Sequence, residues 1–209
     1  LASASFTVES SQTSISGFAK GSGMIRPNMA TMLAYVFTDA KIERPLLDKF
    51  IVNAVKNSFN RITVDGDTST NDCCMLVATG KGSLVITDID SDASKQFQFE
   101  LNAVFEQLAT GLIRDAEGAS KFITIEVNEG ASEHECLAVA YAVAESPLVK
   151  TAFYASDPNW GRILAAIGRA GLDDLDIESV TLALGDILLV SKGAVDAGYS
   201  ESAGQAEMD

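Results

Sequence analysis

Apolar and polar positions alternate along SASFTVESS and TSISGFA at the start of the chain, the period-two pattern of two short strands with one covered face. The next stretch, KGSGMIRPNMA, is rich in glycine and contains a proline, so it breaks the pattern as a loop. TMLAYVFTDA then runs out of that loop as a mostly apolar strand. From Pro45 the period changes. Leu46, Leu47, Phe50, Ile51, Ala54 and Val55 recur at helical spacing, and Pro45 suits a first helical turn, which predicts a helix ending near Asn60. DGDTSTND reads as a polar, turn-rich loop and CCMLVATG as a further buried strand. Residues 92–112 carry Phe97, Leu101, Val104, Phe105, Leu108 and Leu112 on one face of a long amphipathic helix.

After the polar break RDAEGASK, FITIEV is expected to be a strand. Residues 133–145 form a third helix, stopped at Ser146-Pro147, with a short helical piece through Val149. The loop YASDPN leads into a helix over residues 160–170. VTLALG and ILLV read as strands joined by a tight turn at Gly185-Asp186, and SESAGQAEMD has helical propensity without a core face. Strands and helices mix without a regular βαβ rhythm, so the fold class is α/β (α+β), a layered sandwich rather than a doubly wound parallel sheet.

The sequence has 209 residues, 47% of them hydrophobic, enough for one substantial core or two small ones. A formal net charge of −14 repels a phosphate backbone and so argues against general nucleic-acid binding. No run of about 18 apolar residues suggests a membrane span, and the first residues lack the basic and apolar regions of a secretory signal. Cys73, Cys74 and Cys136 give no disulfide framework and read as small thiols of a reducing compartment. With a single histidine, His134, and no paired cysteine spacing, no metal site is expected. The acidic loop from Asp65 to Asp72 lacks the glycine and glutamate offsets of a calcium loop, and reads as a turn whose side chains satisfy backbone.

The candidate chemistry lies in Lys20-Gly21-Ser22-Gly23-Met24-Ile25-Arg26-Pro27-Asn28-Met29-Ala30-Thr31. This run sets a hydroxyl residue at the head of a buried strand, behind a glycine loop. Such a hydroxyl can attack the preceding carbonyl if the loop bends that peptide. That N-to-O shift frees the Thr31 α-amine and hydrolysis of the resulting ester frees Oγ; the ordinary amine pKa of about 7.7–8.0 then lets it act as base for its own Oγ. The plain alternative is a threonine at a strand start. The segment SDPNWGRILAAIGRAG presents Asn159 as a helix cap and Ala165, Ala166 and Gly168 as close-packing positions. Arg162 is the residue there best suited to a carboxylate, directly or through Asp157.

AKGSGMIRPNMATMLAYVFTDA, ITVDGDTSTND, RDAEGASKFITIEV and SDPNWGRILAAIGRAG together resemble the ornithine acetyltransferase family, the bifunctional glutamate N-acetyltransferases of arginine biosynthesis. The likeness runs from Gly17 to about Gln205. It implies an α-β-β-α-like sandwich shared with related aminopeptidases, N-terminal-nucleophile-like chemistry, and self-cleavage at Ala30–Thr31. Thr31 would be the catalytic nucleophile and part of the substrate site, with Lys20 and Glu117 as substrate-binding partners. Acetyl would pass from N-acetylornithine to Thr31 and on to glutamate without a cofactor, with acetyl-CoA as an alternative donor in some members. The resemblance further implies a cytoplasmic α2β2 heterotetramer, in which residues 1–30 end the α chain and 31–209 form most of the β chain. Members of the family are about twice this length. Their oxyanion-hole Thr-Gly pair and their C-terminal Asn and Thr or Ser have no counterpart here, so a piece of a larger protein is expected. The competing readings are a self-processing aminopeptidase or amidohydrolase of related architecture, and a non-enzymatic interaction domain.

Overall fold

The structure, a computed structural model, describes residues 1–8, 10–26, 32–68, 70 and 73–208. The chain divides into two compact units, Leu1–Ala119 and Ser120–Asp209. This division does not coincide with the expected processing point, since the strands on either side of Ala30–Thr31 lie in one sheet.

In the amino-terminal unit, β1 (Ala2–Val8) and β2 (Ser11–Lys20) form an antiparallel pair. β2 pairs antiparallel with β3 (Leu33–Thr38) from Ile15↔Thr38 to Lys20↔Leu33. The chain then passes through β4 (Lys41–Ile42), α1 (Arg44–Lys56) and a 3-10 turn at Phe59–Arg61 before β5 (Cys73–Ala78), which runs parallel to β3. A parallel neighbour requires such a crossover. The resulting mixed sheet has the order β1-β2-β3-β5, and β4 pairs with β6 (Val85–Ile86) in a small separate ribbon. The last element of this unit is α2 (Asp92–Arg114).

The alternation read from the sequence separates two faces of this sheet. Ile15, Ala34, Val36 and Leu76 are buried with Phe97, Leu101, Phe105 and Leu108 of α2 in one core. Phe50 and Ala54 of α1 join the same core. Burying each large apolar side chain contributes about 1.5–3 kcal/mol. Gly17 lets the helix approach closely, because a Cβ there would stand 2.8 Å from Val36 Cγ2 and 3.3 Å from Leu108 Cδ1. The other face carries Phe18, Leu33, Phe37, Met75 and Val77, all exposed. Phe18 packs against Tyr35 on that face, with ring centroids 5.4 Å apart.

The carboxy-terminal unit contains α3 (Glu133–Ala144), α4 (Pro147–Tyr154) and α5 (Trp160–Gly168). They are followed by β7 (Leu182–Leu184), β8 (Ile187–Ser191) and β9 (Ala194–Val195), an antiparallel sheet, and by α6 (Glu201–Met208). Its helices start on side-chain caps: Ser132 accepts from the Glu135 amide, Ser146 from Val149 and Asn159 from Arg162. Val139, Val143, Val149, Ile163, Ala166 and Ile167 are the buried centre. No single helix among the described residues is long and apolar enough to cross a membrane.

The predicted elements and these differ in several places, among them α4, which runs on to Tyr154 rather than ending at Val149. α1 stops at Lys56, where Asn57 closes the helix, and the turn at Phe59–Arg61 takes up the rest of the expected length. FITIEV forms no strand: Ile125 and Val127 pack against the core of the carboxy-terminal unit, but no strand of its sheet pairs with the segment. Alternation reported burial there, and burial does not supply a ladder partner. The two-residue strands β4, β6 and β9 carry no readable period.

Candidate active site

The glycine loop that follows β2 is built into the amino-terminal unit by the Asp65 side chain and the Glu117 main chain. Lys20 ends β2 opposite Leu33 and is exposed on the open sheet face. Beyond it, the Glu117 amide donates to the Ser22 carbonyl at 2.8 Å. The Glu117 carboxylate stands over Gly23, where a Cβ would lie 3.3 Å from Oε2. Glu117 reaches this position because α2 ends at Arg114, and the next residues turn back through an Ala119 amide bond to the Ala116 carbonyl.

Asp65 holds the other side of the loop. Its Oδ2 accepts from the Met24 amide at 2.6 Å and its Oδ1 from the Ile25 amide at 3.0 Å. Oδ1 also takes the Asp67 amide at 3.1 Å, closing a local Asx turn. The Ile25 carbonyl in turn accepts from the Val64 amide at 2.7 Å, and the Ile25 side chain is fully buried. Met24 has φ +55°, a left-handed conformation that a residue with a Cβ seldom adopts. At the far end of the run, Met32 is buried, and its carbonyl accepts from the Cys73 amide at 3.0 Å.

Of the residues singled out from the sequence, Lys20 and Glu117 are thus brought to the same loop. Ala30 and Thr31 lie outside the described residues, as do Ser69, Asn71 and Asp72 of the polar loop. That loop reads from sequence as backbone-satisfying, and at Asp65 it is so. Its particular duty, gripping the glycine loop, was not visible, since the partners are 40 and 41 positions away. The Arg162 guanidinium donates through Nη1 to the Leu148 carbonyl at 2.9 Å and to Thr151 Oγ1 at 3.1 Å. Asp157 accepts from the Asn159 amide group at 2.9 Å. Both residues stabilise helix ends in the carboxy-terminal unit.

Cys74 faces the core, and burial pushes its thiol up to about 12, with neighbouring Cys73 adding to the shift. A protonated thiol of this kind is a poor nucleophile. Among the described residues, no three His, Cys, Asp or Glu side chains converge as metal ligands.

The amino-terminal unit thus holds its glycine loop through the Asp65 carboxylate and the Glu117 amide. The whole chain, residues 1–209, matches the model of the ArgJ family, and the chain belongs to that family. It is 52% identical over 210 residues to the arginine biosynthesis bifunctional protein ArgJ of Pseudomonas fluorescens (strain Pf0-1), covering 99% of this chain and 51% of that protein. The protein of the same name from Psychrobacter arcticus is 54% identical, covering 100% of this chain and 51% of its own length. The chain thus spans about half the length of the curated relatives it matches. A crystal structure of the arginine biosynthesis bifunctional protein argJ from Bacillus halodurans superposes with a TM-score of 0.78 at 38% identity, covering 85% of this chain and 83% of that one.

Proposed function

We propose that this chain is part of a glutamate N-acetyltransferase that moves acetyl from N-acetylornithine to glutamate through Thr31. The observation that carries the reading is the fixed glycine loop, with Lys20 and Glu117 beside it, directly upstream of Thr31. Relatives named as bifunctional proteins of arginine biosynthesis support the same reaction class.

Self-cleavage begins when Thr31 Oγ attacks the Ala30 carbonyl carbon. The carbon–nitrogen bond breaks, the hydroxyl proton passes to the departing amine, and an ester joins Ala30 to Thr31 Oγ. Water hydrolyses that ester, leaving a carboxylate on Ala30 and a free amine and hydroxyl on Thr31. The amine then takes the Oγ proton as the hydroxyl attacks the acetyl carbon of N-acetylornithine. Ornithine leaves with its amine protonated, and acetyl remains as an ester on Thr31. The glutamate amine attacks that ester, restoring the hydroxyl in a ping-pong cycle. Lys20 offers a cation for a substrate carboxylate, and Glu117 a carboxylate for the ornithine ammonium. No cofactor enters this cycle, and acetyl-CoA serves as an alternative acetyl donor. The processed enzyme is read as a cytoplasmic α2β2 assembly, with the first chain ending at Ala30.

Full-length protein incubated with N-acetylornithine and labelled glutamate should yield labelled acetylglutamate. Its intact mass should show two chains, whereas Thr31→Ala should give one chain and no transfer. Release of free acetate without labelled product would reassign the protein as a hydrolase of related architecture.

A further inference from the structure

The polar loop between the Phe59–Arg61 turn and β5 holds the chain on both sides of Ala30–Thr31. Its first part binds the approach: Asp65 takes the Met24 and Ile25 amides, and the Val64 amide takes the Ile25 carbonyl. Its end binds the exit, through the Cys73 amide and the Met32 carbonyl. Two successive backbone N–H groups converging on one anion form a nest, and such nests need a left-handed residue. Met24 supplies it at φ +55°, although its side chain is exposed and gains nothing from the core. The Asp65 carboxylate is therefore the group that makes an otherwise disfavoured backbone turn stable.

We propose that Asp65 is a positioning residue for the chemistry at Thr31. It acts through the backbone of Met24 and Ile25, anchoring the chain on the amino-terminal side of the junction. Cys73 anchors it on the carboxy-terminal side. This rests on the reading of Thr31 as a self-cleaving nucleophile. Loosening one flank widens the set of conformations open to the residues between, so a smaller fraction of molecules presents the hydroxyl to the carbonyl at any time. Asparagine cannot replace the carboxylate. It presents one acceptor oxygen, and its amide group turns donors toward a backbone N–H.

The test follows cleavage of freshly made full-length protein over time by intact mass, with circular dichroism and a thermal midpoint for each variant. Wild type should cleave and Thr31→Ala should not; a wild type that stays whole would remove the Thr31 reading, and the Asp65 role with it. Given a cleaving wild type, Asp65→Asn should slow the cut roughly tenfold to a hundredfold while the circular dichroism stays that of the folded protein and the thermal midpoint falls only modestly. Met24→Val leaves Asp65 in place but resists the left-handed turn, so it should slow the cut in the same direction and remains informative if Asp65→Asn does not fold. Adding Met24→Gly to Asp65→Asn should restore part of the rate, because glycine takes φ +55° without help from the carboxylate. Wild-type cleavage rates in both Asp65→Asn and Met24→Val, or a slow Asp65→Asn that Met24→Gly does not improve, would overturn the proposal.

Discussion

The amino-terminal unit closes its core with Phe50, Phe59, Phe97 and Phe105, all buried, in the tilted ring pairs Phe50–Phe97 and Phe59–Phe105. In the carboxy-terminal unit the largest fully buried side chains are Leu189 and Val190, and its helices pack through valine, isoleucine and alanine. The first unit hangs a sheet on one long helix, so a few aromatic positions carry much of its stability. The second uses short helices, each begun by a serine or asparagine cap, so more of its stability rests on local hydrogen bonds. The loops that hold candidate chemistry belong to the first kind of unit, where a stiff core can fix backbone groups to a fraction of an ångström.

That contrast can be broken by substitution. Because two units need not unfold together, hydrogen exchange read separately in α2 and in α5 is the suitable measurement. Phe105→Ala should cost about 3–5 kcal/mol and appear in α2. Leu189→Ala should cost about 2–4 kcal/mol in the carboxy-terminal unit. Gly193→Ala should cost roughly 1–3 kcal/mol, since φ is +69° and a Cβ would meet the Ile177 carbonyl oxygen at 2.3 Å. Ser146→Ala, which removes the α4 cap, should cost about 1 kcal/mol. A cap loss as large as the Phe105 cavity would erase the distinction between the units.

The smallest effect depends on pH. Thr13 Oγ1 and the Ser14 amide donate to the Asp39 carboxylate and, in that order, hold it below its ordinary value of 3.8. A depressed carboxyl stabilises the fold above its unfolded pKa, and the contribution fades as pH falls through the folded value. Asp39→Asn should therefore flatten the acid side of the stability curve of the amino-terminal unit below about pH 4. It should leave the carboxy-terminal unit unchanged, as acid titration followed by exchange in each unit will show.

Much of the architecture could be read from spacing. The stripe from Phe97 to Leu112 marked α2 within two residues of its end, and Pro147 marked both the stop of α3 and the start of α4. The candidate site was half legible. Lys20 and Glu117 came from resemblance; the structure sets Lys20 at the end of β2 and Glu117 over Gly23. The Asp65 clamp was hidden, because an aspartate in a turn looks the same whether it binds its own loop or one 40 positions upstream. FITIEV failed for the opposite reason: its pattern was genuine, but a strand exists only with a partner.

The antiparallel register of β2 and β3 gives the proposed cut a further consequence. While the chain is whole, these strands meet as neighbours in one molecule, at the high effective concentration set by a short tether. Once the tether opens, the same ladder becomes a contact between two polypeptides, with β1 and β2 on one and β3 on the other. Unfolding would then release it, and recovery would depend on protein concentration. Under that proposal, a molecule denatured after the cut would not retrace the path by which it first formed.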